Sequence, residues 1–268
     1  MANILAVTNQ KGGVGKTTTA VNLSACLATL KQRVLMIDLD PQGNATTGCG
    51  ITKHVALPTV YQILIGRSTV AEARIATEFD FDVLPANREL AGAEVELIEI
   101  GGREYRLRDA LAAYHDEYDF ILMDCPPALN MLTVNGLAAA EAVIIPMQCE
   151  YYALEGLTDL VATLKKVRAN LNPILEIEGL LRTMFDPRST LTQQVSAQLE
   201  EHFGDKVYST IIPRNVRLAE APSYGKPVIA FDPGSKGAQG YLSLAKEMLE
   251  RCDALNVSTA TVEQETSA

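Results

Sequence analysis

The sequence predicts an α/β fold, a doubly wound and mostly parallel sheet flanked by helices. Two observations predict it. Short apolar runs rich in β-branched residues recur along the chain, and amphipathic stretches of helical length lie between them. Continuous apolar runs are typical of strands buried on both faces, and the alternation of strands with helices indicates a parallel sheet joined by right-handed crossovers.

Seven apolar runs are predicted to be the strands: 3–8, 33–38, 81–86, 119–124, 142–147, 177–185 and 207–213. The amphipathic stretches predicted to be helices are 16–30, 103–115, 154–171, 189–203 and 238–251. Neither an internal repeat nor a linker rich in Pro, Gly or Ser divides them, so we expect one domain over 1–252. Residues 253–268 are small, polar and acidic, which predicts a disordered tail.

The composition indicates a protein that stays inside the cell. With 268 residues and 47% hydrophobic content, the chain can fill a core without disulfides. Its five cysteines are far apart and include no C-x-x-C pair, which favours reduced thiols in the cytoplasm. The sequence has no run of eighteen apolar residues and no signal-peptide pattern, so we expect no membrane partner.

Negative charge is concentrated in one part of the chain. The formal net charge is −10, but residues 77–119 alone carry 12 acidic and 4 basic side chains. Residues 180–251 carry 9 basic and 8 acidic ones. A basic face is therefore compatible with the overall acidity, and nucleic acid is not excluded as a partner.

The stretch "TNQKGGVGKTTTA" (8–20) passes from the first predicted strand into the first helix, the context of a phosphate-binding loop. Glycines let the backbone approach phosphates, and the helix N-terminus adds N–H donors. Lys16 is expected to reach the β- and γ-phosphates, and the Thr17 hydroxyl to ligate Mg²⁺. The predicted nucleotide-binding residues are Lys11, Gly12, Gly13, Val14, Gly15, Lys16, Thr17 and Thr18.

Two further strands end in aspartates that suit a metal-dependent reaction. Asp38 and Asp40 follow the second run, where a carboxylate can orient or deprotonate an attacking water or order a metal's shell. Asp40-Pro41 is also a common start of a turn. Asp124 ends the run "DFILMD" in the Walker B arrangement, which holds Mg²⁺ through its water shell. The predicted metal residues are Thr17, Asp40 and Asp124.

Four motifs in this order, "KGGVGKTT", "DLDPQGNAT", "DCPPALN" and "IIPRNVRLAEAPSYGKPV", resemble the deviant Walker A ATPases of the MinD/ParA superfamily. The chain is most similar to the ParA/Soj chromosome- and plasmid-partitioning proteins, over about residues 2–251. The resemblance implies a P-loop NTPase fold of the deviant Walker A type. It also implies an enzyme that hydrolyses ATP to ADP and phosphate with ATP and Mg²⁺ as cofactors.

The same resemblance implies roles for individual residues. The extra lysine, Lys11, would reach across an ATP-sandwiched homodimer to the phosphates of the partner's nucleotide; alternatively, it is a solvent-facing loop lysine. Lys11, Lys16 and Asp40 would be catalytic, with Asp40 positioning the hydrolytic water and Asp38 supporting the metal shell or the loop. Pro213 and Asn215 would contribute to the adenine pocket, although the same loop fits simple packing.

The resemblance further implies that the dimer binds double-stranded DNA nonspecifically on the nucleoid. A ParB-type centromere-binding protein would then stimulate hydrolysis and release it. Phosphate contacts need closely placed cations and no sequence reading. The candidate DNA-binding residues are Arg188, Arg217, Lys226 and Lys236, each of which is otherwise a solvated surface charge. Gly234 replaces a basic residue that relatives often carry, so this patch is expected to be thinner.

Three relatives of the same fold are alternatives. A ParA-like ATPase that positions another cargo, such as a chemoreceptor cluster or a microcompartment, would have the same active site. A MinD-like membrane ATPase is disfavoured because the acidic, polar end of the chain is not an amphipathic anchor. An iron–sulfur reductase is disfavoured because Cys125 and Cys149 lack the glycine-flanked pairing expected of cluster ligands.

Overall fold

A single twisted sheet organises the fold. A computed structural model describes the backbone of residues 2–266 and the side chains of residues 2–254. The strands are β1 Asn3–Val7, β2 Val34–Asp38, β3 Ile75–Ala76, β4 Asp82–Leu84, β5 Phe120–Asp124, β6 Ala142–Gln148, β7 Glu176–Phe185 and β8 Val207–Pro213.

The strand order is β3-β4-β2-β5-β1-β6-β7-β8, and every neighbouring pair is parallel except the antiparallel pair of β3 and β4. The predicted doubly wound, mostly parallel sheet is therefore confirmed. β1 lies between β5 and β6, so the chain builds outward from β1 in both directions. In such sheets ligands bind beyond the carboxyl ends of the strands near this reversal.

The helices cover both faces of this sheet. They are α1 Lys16–Thr29, α2 Asn44–Gly48, α3 Val60–Leu64, α4 Val70–Ala73, α5 Leu90–Glu96, α6 Arg106–Leu111, α7 Met131–Ala139, α8 Ala153–Asn170, α9 Thr190–Phe203, α10 Val216–Glu220, α11 Val228–Phe231 and α12 Lys236–Thr266.

Alternate residues of the central strand belong to two different cores. Ile4 and Ala6 of β1 pack in the core that α7 and α8 complete, whereas Leu5 and Val7 pack in the core that α1 and α12 complete. This alternation follows from the two-residue period of a strand. Because β1 is covered on both faces, the loop that leaves its carboxyl end is firmly positioned.

α1 is fixed at its amino-terminal half by polar contacts with the last third of the chain. The hydroxyls of Thr19 and Tyr241 lie 3.1 Å apart in the buried interface between α1 and α12. The amide oxygen of Asn22 accepts a hydrogen bond from the Val228 N–H at 2.6 Å, at the start of α11. These contacts hold the helix that follows the predicted phosphate loop.

The predicted helical stretch 103–115 is helical, but only Arg106–Leu111 is α-helical, between 3₁₀ turns at Arg103–Tyr105 and Ala112–Tyr114. The buried side chain of Asn135 explains the amino-terminal limit. Its Nδ2 donates to the Arg103 carbonyl at 2.8 Å and its Oδ1 accepts from the Leu107 N–H at 3.1 Å. The Asn135 amide therefore bridges the two groups that an α-helix would join directly.

α12 ends at Thr266, so its backbone overlaps the segment 253–268 that the sequence predicts to be a disordered tail. The side chains of 255–266 and all of 267–268 lie outside the described residues. The tail and the single domain over 1–252 therefore stay predictions.

All five cysteines are free, four of them buried and Cys252 half-buried. None of the described helices has both the length and the apolar character needed to cross a membrane.

Candidate functional site

The predicted phosphate loop lies at the carboxyl end of β1 and leads directly into α1. Gly13 and Gly15 have φ values of 74° and 90°, in the left-handed region that only glycine adopts easily. Gly15 is the N-cap residue of α1, and no side chain caps this end of the helix. The first N–H groups of α1 are therefore available to an anion at the positive end of the helix dipole.

Lys16 is almost buried at the base of this loop. The residue is 7% exposed, and its ammonium donates to the carbonyl of Lys11 at 3.0 Å. Burial lowers the pKa of Lys16, while the nearby carboxylates of Asp124 and Asp40 act in the opposite direction. An ammonium has three donor protons, so Lys16 can keep this loop contact and also bind a phosphate oxygen.

Asp124 is a buried carboxylate that lacks a well-formed hydrogen bond in the described part of the chain. It ends β5, opposite Val7 of β1 and Asp38 of β2, and is 1% exposed. Neither of its oxygens has a hydrogen bond of good geometry among the described residues, although the Thr17 hydroxyl acts as a donor that lowers the pKa of Asp124. Burial, followed by the charge of Asp38, raises the pKa of Asp124 well above its ordinary value.

An orphaned buried carboxylate of this kind fits a cation or a cation's water shell. The described residues contain no group of three or more His, Cys, Asp or Glu side chains that could hold a metal ion by themselves. A Mg²⁺ ion here would thus take most of its ligands from phosphate oxygens and water, which is how Mg²⁺ is usually held in nucleotide sites. The donor set is compatible with Mg²⁺.

Asp38 has a structural task beside this centre. Its Oδ2 accepts hydrogen bonds from the Thr46 N–H at 2.8 Å and the Thr46 hydroxyl at 2.7 Å. Its Oδ1 accepts from the Asp40 N–H at 3.1 Å. Burial raises the pKa of Asp38 to about 6, despite the opposing hydrogen bonds from Thr46. Two roles are expected for Asp38, support of the metal shell and support of the loop. These contacts are compatible with the second role, because they tie Asp38 to the loop that follows β2.

Asp40 starts a turn and also faces the site. Its Oδ1 accepts from the Gln42 N–H at 2.9 Å, and its carbonyl accepts from the Gly43 N–H at 2.9 Å. Asp40 is half-buried, and its charge is felt by both Lys16 and Asp124. The turn and the position beside the phosphate loop are therefore compatible, and the turn holds the carboxylate in place.

A cavity of 470 Å³ opens beside the phosphate loop. Pro213 and Asn215 both contribute to its wall, together with Gly15 and Thr18 at the start of α1. The remaining lining residues come from the ends of β7 and β8, from α10 and from α12: Thr183, Met184, Ile212, Arg214, Val216, Leu218, Ala219 and Tyr241. A largely apolar cavity that meets a phosphate loop has the place and the character of a nucleoside pocket.

Lys11 points away from the centre of its own loop. Its ammonium forms an ion pair with Glu150 at 2.6 Å, and the two side chains are 46% and 50% exposed. Tyr151 and Tyr152 follow, both largely exposed and in edge-to-face contact with each other. A lysine and two aromatic side chains are thus displayed at the rim of the phosphate loop.

The two arginines predicted to contact DNA are exposed and already paired with carboxylates. Arg188 follows β7, and its Nε and Nη2 lie 2.9 Å and 3.0 Å from the two oxygens of Asp186. These hydrogen bonds lower the pKa of Asp186 to about 2. Arg217 of α10 pairs with Glu220 at 2.8 Å and with Asp232 at 3.2 Å.

The two predicted lysines are both exposed but lie in different surroundings. Lys236 is exposed at the first position of α12. Lys226 is exposed too, but it lines a cavity of 180 Å³ with Thr17 and Thr18, between α1 and α2. Lys226 is thus closer to the phosphate loop than the sequence suggested.

Sequence reasoning missed several residues of this region. Gln148 donates to the Gly13 carbonyl at 3.1 Å, and Thr183 donates to the Val14 carbonyl at 2.8 Å. Exposed Arg214 lines the cavity and adds to the positive field on Asp186. Their only sequence signal is a polar or charged residue at the end of an apolar strand.

Comparison with known proteins agrees with this geometry. Residues 2–177 match the family described as the AAA domain. The chain is 55% identical over 249 residues to the sporulation initiation inhibitor protein Soj of Bacillus subtilis, covering 92% of this chain and 98% of that protein. It is 53% identical over 251 residues to the chromosome partitioning protein ParA of Caulobacter vibrioides, covering 92% and 94%.

A solved structure with a similar fold is cobyrinic acid a,c-diamide synthase from Mycobacterium smegmatis with bound ATP analog and magnesium. It is 37% identical, has a TM-score of 0.83 and covers 94% of this chain and 96% of that one. Because identities above 50% extend over nine-tenths of the sequence, the chain belongs to the ParA/Soj family of partitioning ATPases.

Proposed function

We propose that this ATPase is a nucleotide-timed DNA-partitioning switch. It uses ATP and Mg²⁺, forms a homodimer around ATP, and binds double-stranded DNA nonspecifically on the nucleoid in the cytoplasm. A ParB-type centromere-binding partner then stimulates hydrolysis and releases it. Relatives named chromosome partitioning proteins support chromosomal DNA as the cargo.

The nucleotide would lie along the loop and the adjoining cavity. Lys16 and the N–H groups of 12–18 bind its phosphates, and the wall formed by Pro213 and Asn215 receives the base. Thr17 and Asp124 hold Mg²⁺, which when bound supplies positive charge to the phosphoryl group being transferred. Asp40 orients the attacking water.

The observation that carries dimerisation is the exposed ion pair between Lys11 and Glu150 at the rim of the loop. Exposed ion pairs contribute about 0–1 kcal/mol, so Lys11 can leave Glu150 at little cost. A cation that reaches a phosphate of a second subunit would stabilise charge in the transition state, and only when two subunits meet. Exposed Tyr151 and Tyr152 beside it supply apolar area for such a contact.

The DNA-binding surface would include Arg188 and Arg217, with Lys236 beside them and Arg214 as an added cation. Their partners Asp186, Glu220 and Asp232 must give way to DNA phosphates. We therefore expect one subunit to bind DNA weakly. A dimer should bind DNA more tightly, because it presents every cation twice.

A DNA titration of wild type and Asp40→Ala, each with ATP, with ADP and without nucleotide, tests the cycle. We expect Asp40→Ala to bind ATP and DNA but to lose hydrolysis, because the water is no longer oriented. It should therefore accumulate as a DNA-bound dimer. Lys16→Ala is the matched control. We expect it to lose nucleotide binding and therefore also dimerisation and DNA binding.

Lys11→Ala separates dimer formation from nucleotide binding in the same assay. We expect it to bind ATP and to lose dimerisation or hydrolysis. Normal hydrolysis by Asp40→Ala would refute the role of that aspartate. Rapid turnover by an isolated wild-type monomer would refute the dimer as the active state.

A further inference from the structure

Two carbonyls in the middle of the phosphate loop accept hydrogen bonds from side chains of β6 and β7, the two strands that follow β1 on one side of the sheet. The Gly13 carbonyl accepts a hydrogen bond from Gln148 Nε2 at 3.1 Å, at the end of β6. The Val14 carbonyl accepts one from the Thr183 hydroxyl at 2.8 Å, near the end of β7. Both contacts join residues more than a hundred positions apart in the chain.

These contacts fix the direction of the loop amides. A trans peptide is planar, so its C=O and its N–H point in opposite directions. With the carbonyl of Gly13 directed to Gln148, the N–H of Val14 points away from the strands. With the carbonyl of Val14 directed to Thr183, the N–H of Gly15 does the same. Two consecutive N–H donors thereby point away from Gln148 and Thr183.

Thr183 also connects the phosphate loop to the nucleoside cavity. The residue is 2% exposed and lines the 470 Å³ cavity, and its methyl group lies 3.7 Å from the position of a Cβ on Gly15. The hydroxyl lies 3.1 Å from the Met147 carbonyl as well, so its single proton is shared between two carbonyls of the same region. Thr183 therefore has no spare hydrogen-bond donor for a base.

Gln148 connects the same two parts of the site. Its Nε2 also lies 2.8 Å from the sulfur of Met184, which lines the cavity. Met184 has a φ of 49°, a left-handed conformation that is unfavourable for a residue with a long side chain. Such strain persists where the surroundings hold it, and here the surroundings include Gln148.

We propose that Thr183 and Gln148 are positioning residues for nucleotide binding. They bind the carbonyls of Val14 and Gly13 and so direct the N–H groups of Gly15 and Val14 towards the phosphates. The inference rests on the nucleotide site proposed above. It gives a definite chemical expectation, because the two side chains act on the phosphate portion of the ligand and not on its base.

Thr183→Val tests this, because valine keeps the shape of the side chain and removes the hydroxyl. We expect the affinity for Mg²⁺-ADP and for Mg²⁺ with a non-hydrolysable ATP analogue to fall about tenfold, the scale of one hydrogen bond. The affinity for adenosine, measured by competition, should not change. Thr183→Ser should restore the affinity for ADP, since it restores the hydroxyl.

Thr29→Val is the matched control, because the Thr29 hydroxyl also donates to a backbone carbonyl, that of Ala25 at 2.8 Å, but at the far end of α1. Gln148→Leu is a second variant should Thr183→Val fail to fold, and we expect the same selective loss for ADP. Failure of wild type to bind ADP would overturn the nucleotide site itself. Wild-type affinity of both variants for ADP, or an equal loss for adenosine, would overturn the positioning role.

Discussion

At the scale of single residues, two aspartates with the same sequence setting have different tasks. Asp38 and Asp124 both end apolar strands, and they are opposite each other in the sheet. Asp38 accepts three hydrogen bonds from its own segment, whereas Asp124 has no well-formed hydrogen bond among the described residues, and the Thr17 hydroxyl is the donor that lowers its pKa. The sequence identified both carboxylates, but only the surrounding donors separate the one that builds the loop from the one that is free for a cation.

The raised pKa of Asp124 predicts that Mg²⁺-nucleotide binding depends on pH. Burial and the charge of Asp38 make the carboxyl of Asp124 hold its proton to a higher pH than an exposed aspartate. Because a cation stabilises the ionised form, binding releases this proton, and the affinity for Mg²⁺-ADP should rise with pH. Calorimetric titrations at several pH values around neutrality, in buffers of different ionisation enthalpy, would measure the released protons.

The nucleotide's own phosphate also titrates in this range, so Asp124→Asn is the necessary control. It cannot ionise, so it removes the contribution of Asp124 and leaves those of the nucleotide and of Asp38, whose pKa of about 6 lies in the same range. A wild-type profile that coincides with that of Asp124→Asn would contradict the prediction. Binding of ADP in the presence of EDTA should be insensitive to the substitution if Asp124 acts through the metal.

At the scale of elements, the sequence predicted the strands well and the contacts between them poorly. Seven apolar runs correspond to β1, β2 and β4–β8, because burial on both faces leaves a continuous apolar pattern. The two-residue strand β3 was missed because two residues are too few to show a period. Gln148 and Thr183 were missed because their contacts with the phosphate loop depend on which strands are neighbours, which periodicity does not report.

In the predicted sites, too, the residues of one local motif could be predicted and the contacts between distant residues could not. The phosphate loop and Asp124 could be predicted from local spacing, since glycines, lysine and threonine in one loop are specific to phosphate binding. The pairing of Lys11 with Glu150 and of Arg217 with Asp232 joins residues that are distant in the chain or separated by a loop. No local sequence pattern identifies Glu150 or Asp232 as a partner. Each carboxylate must release its cation before that cation can bind a phosphate.

Asn135 provides a test of how side chains limit an element. Its amide bridges the Arg103 carbonyl and the Leu107 N–H in a buried place, so Asn135→Ala would leave both groups unpaired. We expect a loss of about 2–3 kcal/mol in the free energy of unfolding, the cost of orphaned buried polar groups. Urea unfolding would measure it, with nucleotide affinity unchanged because α7 lies on the opposite core from α1.

Asn170→Ala is the control for this prediction. The Asn170 amide also donates to a carbonyl, that of Lys166 at 2.7 Å, but on an exposed face where water can replace it. We expect a change below about 0.5 kcal/mol. Equal destabilisation by the two substitutions would show that Asn135 is an ordinary packing residue and does not bridge α6 and α7.

At the scale of the whole molecule, charge is divided between regions of the fold. The acidic stretch 77–119 forms β4, α5 and α6, whereas Arg188, Arg214 and Arg217 follow the carboxyl ends of β7 and β8. In a chain of net charge −10, this edge can bind DNA once Asp186, Glu220 and Asp232 give way, while the acidic stretch repels it. Such a distribution would orient a dimer on DNA as well as bind it.

This division predicts a strong and locatable salt dependence of DNA binding by the ATP-bound dimer. If the four cations of the proposed surface, Arg188, Arg214, Arg217 and Lys236, contact phosphates in each subunit, the logarithm of the binding constant should fall with the logarithm of salt concentration with a slope of about −7. Arg217→Ala removes one contact per subunit and should reduce the steepness of this slope by about 2. Sedimentation should show that the variant still dimerises.

Arg33→Ala is the matched control, because Arg33 is exposed and paired with Asp119 at the amino ends of β2 and β5. A similar effect of both substitutions would place DNA binding away from the carboxyl edge of β7 and β8, and loss of the dimer in Arg217→Ala would assign that arginine to the subunit interface.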